Sequence, residues 1–301
     1  MDLLGAGAEE RPRTPVGVFE EQRPRLFALA YRLLGSAAEA EDLVQETFLR
    51  WSRADRVEVP AAWLTTVITN LCLNQLASAR RQRESYAGPW LPEPVLTGAG
   101  ALGPLETVEQ RESVSLGLLV LLERLSPAER AVFVLREAFG YSHAEVGDIL
   151  GFDEARSRQL HRRARGHLGE ARKRFDAGRE QHRRIVETFM AATVRGDVAG
   201  LERLLAADVV AWADGGGSTA ARRPLSGRER VLRYLGGLGI RPEAAAVTAA
   251  VAEVNGEFAV LLWHEGVLRA VMAVEIGDGR ISAVRTLMNP AKLAFAAAQL
   301  V

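Results

Sequence analysis

One cysteine in 301 residues excludes an internal disulfide, and no cysteine–histidine pair stands at the spacing of a zinc site. Cys72 lies in an apolar helical stretch, the place of a small buried hydrophobe rather than a reactive thiol. The opening "MDLLGAGAEERPRTP" has no basic segment followed by a long apolar run, so it does not read as a secretory leader. No run approaches the roughly 18 apolar residues of a membrane span. A soluble, cytoplasmic protein with no membrane partner, metal or cofactor is expected. Excess charge is also missing, with 38 basic and 38 acidic side chains. That balance argues against tight binding to a polyanion by the free chain, but nucleic-acid footprints are local. Arg80, Arg81 and Arg83 form one basic cluster, and the arginines between positions 156 and 174 form another.

Three blocks follow a short N-terminal tail (1–17). From 18 to 83 the apolar period is helical: Leu43, Val44, Thr47, Phe48 and Trp51 recur at three and four residues as one buried stripe. Leu49 is assigned to the core with Leu43 and Val44. Gly35 and Ser36 end one helix and start the next, and Pro60 opens a third. Residues 84–105 are rich in proline and glycine, as a linker is. From 106 to 175 the chain is helical again. "SPAE" (126–129) and "SHAE" (142–145) each give a capping serine and a glutamate three residues on. Gly151 suits a left-handed C-terminal cap and Asp153 caps the next helix, so two short helices meet in a helix-turn-helix. From 179 to 301 two helices precede five β-type runs separated by turns such as "NGE" (255–257) and "GDG" (277–279). Helices first and a meander after predict an α+β unit with helices on one face of a curved sheet.

The segment "ARSRQLHRRARGHL" (155–168) carries the clearest chemistry. Ser157, His161, Ala164 and Leu168 share an inward side, while Arg156, Arg158, Gln159, Arg162 and Arg163 project elsewhere. As the second helix of a helix-turn-helix, that outer face enters the major groove, where arginine matches guanine, glutamine suits adenine and further arginines hold phosphates. A merely solvated charged helix is the competing reading, although few acidic partners lie one turn away.

"AEAEDLVQETFLRW" and "AAWLTTVITNLCLNQLASARR" resemble the promoter-binding half of bacterial RNA polymerase sigma factors of the extracytoplasmic-function branch, in the sigma-70 superfamily. "LERLSPAERAVFVLREAFGYSHAEVGDILG" is similar to that family's second, upstream-element domain. The resemblance implies two all-α sigma domains and two partners, core RNA polymerase and promoter DNA. It places Asp42, Gln45 and Phe48 at the polymerase. It places Trp63, Asn70, Asn74, Arg80 and Arg81 on a melted −10 element, where bases stack on aromatic groups and arginines follow phosphates. The recognition helix then reads the −35 element. Asn74 stands where many relatives carry aspartate. Extended at about 3.3–3.6 Å per residue, the linker reaches at most roughly 75 Å, against about 70 Å for two turns of duplex.

The third block resembles the SnoaL-like branch of the NTF2-like superfamily, a cone of curved sheet closed by helices. The subgroup of sigma factors that carries such a domain also has a "WLPEP" linker, a "DGGG" loop and a terminal "NPxKL". Here these are Trp90, Leu91, Pro92, Glu93 and Pro94; Asp214, Gly215, Gly216 and Gly217; and Asn289, Pro290 and Lys292 within "NPAKL". A spacer seldom contains an indole, so Trp90 is expected to seat against the C-terminal domain near the glycine loop and "NPAKL". That seat would let the domain regulate the sigma units in cis. Two other readings stay open from the sequence: a helix-turn-helix repressor that senses a small ligand, and a SnoaL-like enzyme invoking Asp214, His264 and Glu265. A small-molecule ligand in the third block is compatible with the first of these and with the sigma-factor reading.

Overall fold

The computed structural model describes residues 14–84, 86, 88–100, 102, 108–169, 178–217, 223–239 and 246–300, with side chains 79–84, 99, 108–109 and 238–239 outside that description. Most of the N-terminal tail, the end of the linker and the basic stretch at 170–177 therefore lie outside the described residues. So do the side chains of Arg80 and Arg81.

Helix α1 (Pro15–Leu34) stops at Gly35, whose φ of 68° is left-handed, and Ser36 caps α2 (Ala37–Trp51) through a bond from Glu39 N. Pro60 opens α3 (Pro60–Glu84). After the linker come α4 (Val108–Glu112), α5 (Leu116–Leu122), α6 (Pro127–Glu137), α7 (His143–Leu150) and α8 (Glu154–Leu168). Ser126 and Ser142 both form complete capping boxes, with Glu129 and Glu145. The two helical units share one core that runs from Phe19 through Leu64, Ile68 and Cys72 to Leu119, Phe133, Val146 and Leu168.

The third unit starts with α9 (Arg179–Arg195) and α10 (Val198–Leu204), then β1 (Leu205–Asp214), β2 (Leu225–Ser226) and α11 (Arg228–Gly239). Strands β3 (Val247–Val254), β4 (Glu257–His264), β5 (Val267–Gly277) and β6 (Arg280–Leu287) precede α12 (Pro290–Ala298). The sheet order is β2-β1-β6-β5-β4-β3, antiparallel except for the β1–β6 pair. Asn255–Gly256 and Asp278–Gly279 each carry two positive φ values, 55° and 76°, and 51° and 71°. That is the twist a two-residue hairpin requires, as the "NGE" and "GDG" signals predict.

Helices were expected on one face of the sheet, and both faces are covered. Val260, Met272, Val274 and Val284 pack against α9, α10 and α11 through Val186, Phe189, Leu201 and Val231. The other face, with Ala259, Leu261, Val271 and Leu287, receives Leu91 and Leu96 of the linker, Leu116 of α5 and Leu293 of α12. A strand buried on both sides reads as a continuous apolar run, which explains "AVMAV" in β5. Two helices escaped the sequence reading. In "RERVLRYLGGLG" the terminal glycines dilute the helical stripe of α11, and "NPAKL" begins α12 with Asn289 as cap and proline at the first position. No described helix is long and apolar enough to cross a membrane.

Candidate nucleic-acid interface and interdomain strap

The helix-turn-helix is tight because α7 and α8 nearly touch. A Cβ on Gly147 would sit 2.5 Å from the Phe152 carbonyl, so glycine is required there. Gly151 closes α7 at φ 73°, and Asp153 caps α8 through Arg156 N at 2.7 Å. As expected, Ser157, Ala164 and Leu168 are buried and His161 is half-buried, while Arg156, Arg158, Gln159, Arg162 and Arg163 are all exposed. The Arg156 guanidinium lies 5.3 Å over the Phe152 ring, and Arg158 pairs with Glu154 one turn back.

In the first unit Asn70 and Asn74 are exposed one turn apart on α3. Trp63 is half-buried, its ring 5.7 Å from that of Trp51, whose indole nitrogen donates to the Pro15 carbonyl at 2.7 Å. Asp42 and Gln45 are exposed on α2, and Phe48 meets Phe19 edge-on at 5.0 Å. The core assignment of Leu43 and Val44 holds, but that of Leu49 does not. Leu49 is 47% exposed, because its position on α2 points beyond the stripe that meets α1 and α3. It adds apolar surface beside Asp42 and Gln45.

The linker forms a buried strap, with residues 91–97 all buried. Trp90 seats where it was expected to, and on the first unit as well. Lys292 Nζ lies 4.3 Å from its ring centroid, while a Cβ on Gly35 would meet the Trp90 ring at 3.0 Å. Asp214, fully enclosed at the end of β1, gathers the strap's entry. Its Oδ2 accepts from Leu91 N at 2.9 Å and Lys292 Nζ at 2.7 Å, and its Oδ1 accepts from Tyr86 at 2.5 Å and Gly216 N at 3.2 Å. Lys292 also donates to the Leu91 carbonyl at 2.6 Å, and Asn289 Nδ2 to the Tyr86 hydroxyl at 3.0 Å. Burial and the adjacent Asp214 carboxylate push the Tyr86 phenol up to about 12.

Glu93 binds the first unit. Its Oε2 accepts from Ala37 N and Ala38 N, at 2.8 and 3.0 Å, and its Oε1 accepts from Ser36 Oγ at 2.8 Å. A carboxylate thus sits on the N-terminus of α2, where free N–H groups and the helix dipole favour it. Glu93 N donates to the Gly35 carbonyl at 2.8 Å, and the Tyr31 hydroxyl donates to the Glu93 carbonyl at 2.6 Å.

Sequence reasoning read Asn255 only as a turn residue. In the structure it is fully buried and ties together all the parts of the chain. Its Oδ1 accepts from Val95 N at 3.0 Å, and its Nδ2 donates to the Tyr31 hydroxyl at 2.6 Å and the Val114 carbonyl at 2.7 Å. Gln299 and Leu96 exchange two further bonds, at 2.8 and 3.1 Å. Only the oddity of a buried polar turn could have signalled Asn255, and burial is not visible in sequence. The two helical units also touch directly: Arg25 donates to the Tyr141 hydroxyl at 2.7 Å, and Arg32 Nε to Ser113 Oγ at 3.0 Å. Among the described residues no cluster of three histidine, cysteine or acidic side chains could hold a metal.

Residues 18–82 match the Sigma-70 region 2 family, and residues 115–168 match the family Sigma-70, region 4. The chain is similar to the ECF RNA polymerase sigma factor SigJ of Mycobacterium tuberculosis, 38% identical over 289 residues that cover 92% of each chain. It is also similar to the probable ECF RNA polymerase sigma factor SigI of the same organism, 34% identical over 278 residues, 90% of this chain and 92% of that one. The crystal structure of SigJ matches with a TM-score of 0.73 at 37% identity, covering 93% of this chain and 98% of that one.

Proposed function

Since the chain belongs to the extracytoplasmic-function RNA polymerase sigma factors, which serve promoter-directed initiation of transcription, we propose a division of labour among its parts. Asp42, Gln45 and Phe48 dock on core polymerase, with exposed Leu49 extending that face. Asn70 and Asn74, with Arg80, Arg81 and the open edge of Trp63, engage the −10 strand. Arg156, Arg158, Gln159, Arg162 and Arg163 read and hold the −35 duplex. The third unit, which we read as a SnoaL-like cone, governs the other two in cis. The work is cytoplasmic.

One observation carries the cis regulation. The two DNA-binding units share a core and are strapped to the sheet through Trp90, Glu93 and Asn255. Units in contact do not span elements two duplex turns, about 70 Å, apart. The strapped arrangement is therefore a resting state, and initiation requires the strap to give way. We read the third unit as non-catalytic. Both oxygens of Asp214 are engaged by the strap and its surroundings, Glu265 is exposed in a hairpin turn, and His264 ends β4. A small-molecule ligand would sit on the helix-covered face of the sheet. There His182 Nδ1 and Thr193 Oγ1 of α9 are buried without hydrogen-bond partners among the described residues.

The experiment is reconstituted transcription with core polymerase, comparing the full chain, Trp90→Ala and a chain cut before Arg179. Both variants should change transcript yield from the cognate promoter, and unchanged yields from both would remove the regulatory reading. A mobility shift with and without core polymerase tests the sigma role itself. Tight duplex binding by the free chain would favour a repressor.

A further inference from the structure

The helix α8 is held from behind by two half-buried histidines. His143 opens α7 and His161 lies midway along α8, with their rings 5.4 Å apart at 57°, and the ring of Phe133 on α6 lies 6.4 Å from that of His161. His143 Nδ1 shares a 2.9 Å hydrogen bond with Ser157 Oγ, which is completely buried. His161 Nε2 lies 2.8 Å from Glu137 Oε1 of α6. A carboxylate only accepts, so Nε2 carries the proton and donates. Ser157 and His161 are one turn apart on the inner side of α8. These two ties, to α7 and to α6, fix the roll of the helix about its axis. The roll decides where Arg158, Gln159 and Arg162 point. A rotation of about 20° moves a tip about 6 Å from the axis by about 2 Å, more than a bidentate base contact tolerates.

Resting on the −35 assignment above, we propose that His143 and His161 are positioning residues for promoter readout, and that a proton gained at His143 releases sequence discrimination without releasing DNA. The charged groups facing the pair are Arg136 and Glu137 from α6, and Glu154 and Arg158 from α8. Burial first, then the Arg136, His161 and Arg158 charges, hold His143 below the ordinary imidazole value, with Glu154 opposing them. It is neutral at neutral pH. As pH falls below about 6.5 a proton enters at growing cost, placing a new cation beside Arg136 and Arg158 and loosening the seam between α7 and α8. Positive charge gained at this edge attracts phosphates and carries no base information.

The test uses the full chain bound to core polymerase. Fluorescence anisotropy measures its affinity for a promoter duplex and for the same duplex with the −35 element scrambled, between about pH 8 and about pH 5. The wild-type ratio should stay level down to about pH 6.5 and then fall, toward a loss of about tenfold once His143 is protonated, comparable to one bidentate contact. His143→Asn keeps an acceptor for Ser157 but cannot titrate, so its ratio should stay level throughout. His161→Gln keeps the donor to Glu137 and should match wild type at about pH 8. His161→Ala should lower the ratio about tenfold at every pH, with scrambled-duplex affinity unchanged. An acid profile of His143→Asn identical to wild type, or a wild-type ratio in His161→Ala, overturns the proposal. A wild-type chain that never discriminates the −35 element removes the underlying assignment instead, and this inference with it.

Discussion

Lys292 and Asp214 illustrate what a single buried pair can hold. The ammonium is 9% exposed and the carboxylate not at all, and between them they bind the Leu91 backbone and face the Trp90 ring. Lys292→Met leaves Asp214 enclosed without its cation, which costs about 3–5 kcal/mol for a buried pair. Chemical denaturation of the full chain should show that loss, and a midpoint unchanged from wild type would mean the strap is not held here. Asn255→Ala removes the partner of Val95 N and of the Val114 carbonyl and puts alanine at φ 55°. Each buried group left alone costs about 1–3 kcal/mol. Asn255→Gly, which relieves the backbone but not the lost bonds, separates the two contributions when both melting curves are compared.

Among the elements, the seam between β4 and α4 is a place where pH bears on stability. Glu257 opens β4, with Glu275 on the adjacent β5, Arg285 one strand further on β6 and Glu112 on α4. Burial, and then the Glu275 charge, push its carboxyl from 4.5 up to about 8. An acid raised in the folded state favours folding while protonated. Its contribution is full below about pH 4.5 and is lost as pH rises through about 8. Glu257→Gln, permanently neutral, should therefore stabilise the chain relative to wild type at about pH 9 and leave it level at about pH 4. Thermal melts at the two values check the sign. The α1–α2 corner is equally constrained: Gly35→Ala sets a side chain at φ 68° and drives a Cβ into the Trp90 ring. It should cost about 1–3 kcal/mol by strain alone and raise Trp90 solvent exposure, read by fluorescence quenching.

At the scale of the whole molecule, the strapped state hides neither the proposed polymerase face nor the outer face of α8. Asp42, Gln45 and the arginines of α8 remain exposed while the two units stay packed together. On the proposed reading, regulation acts on the distance between them. Donor and acceptor dyes on Ser52→Cys and Gly166→Cys, both exposed positions, report that distance. Cys72 is fully buried with its thiol pushed up by burial, so it escapes labelling. Energy transfer should be high in the free chain and collapse on the promoter complex, as the units move toward the roughly 70 Å of two duplex turns. High transfer persisting through productive initiation would sink the closed resting state.

Local chemistry was legible along the chain. The caps at Ser126, Ser142 and Asp153, the left-handed glycines at 35 and 151, and the hairpins at Asn255 and Asp278 follow from propensities that act within a few residues. The outward set on α8 follows from helical spacing, and the docking of Trp90 from an indole too apolar for a free spacer. Leu49 was misplaced and α11 was missed because burial on one helix face depends on which neighbours arrive. The roles of Asn255, Tyr86 and Gln299, and the sheet face that closes on the strap, belong to contacts between residues more than a hundred positions apart. Sequence by itself determined most of the helices, strands and turns and which side chains of α8 face outward. Tertiary structure alone decided that these parts are held together, because that outcome depends on surfaces meeting and shedding water, a property of no single segment.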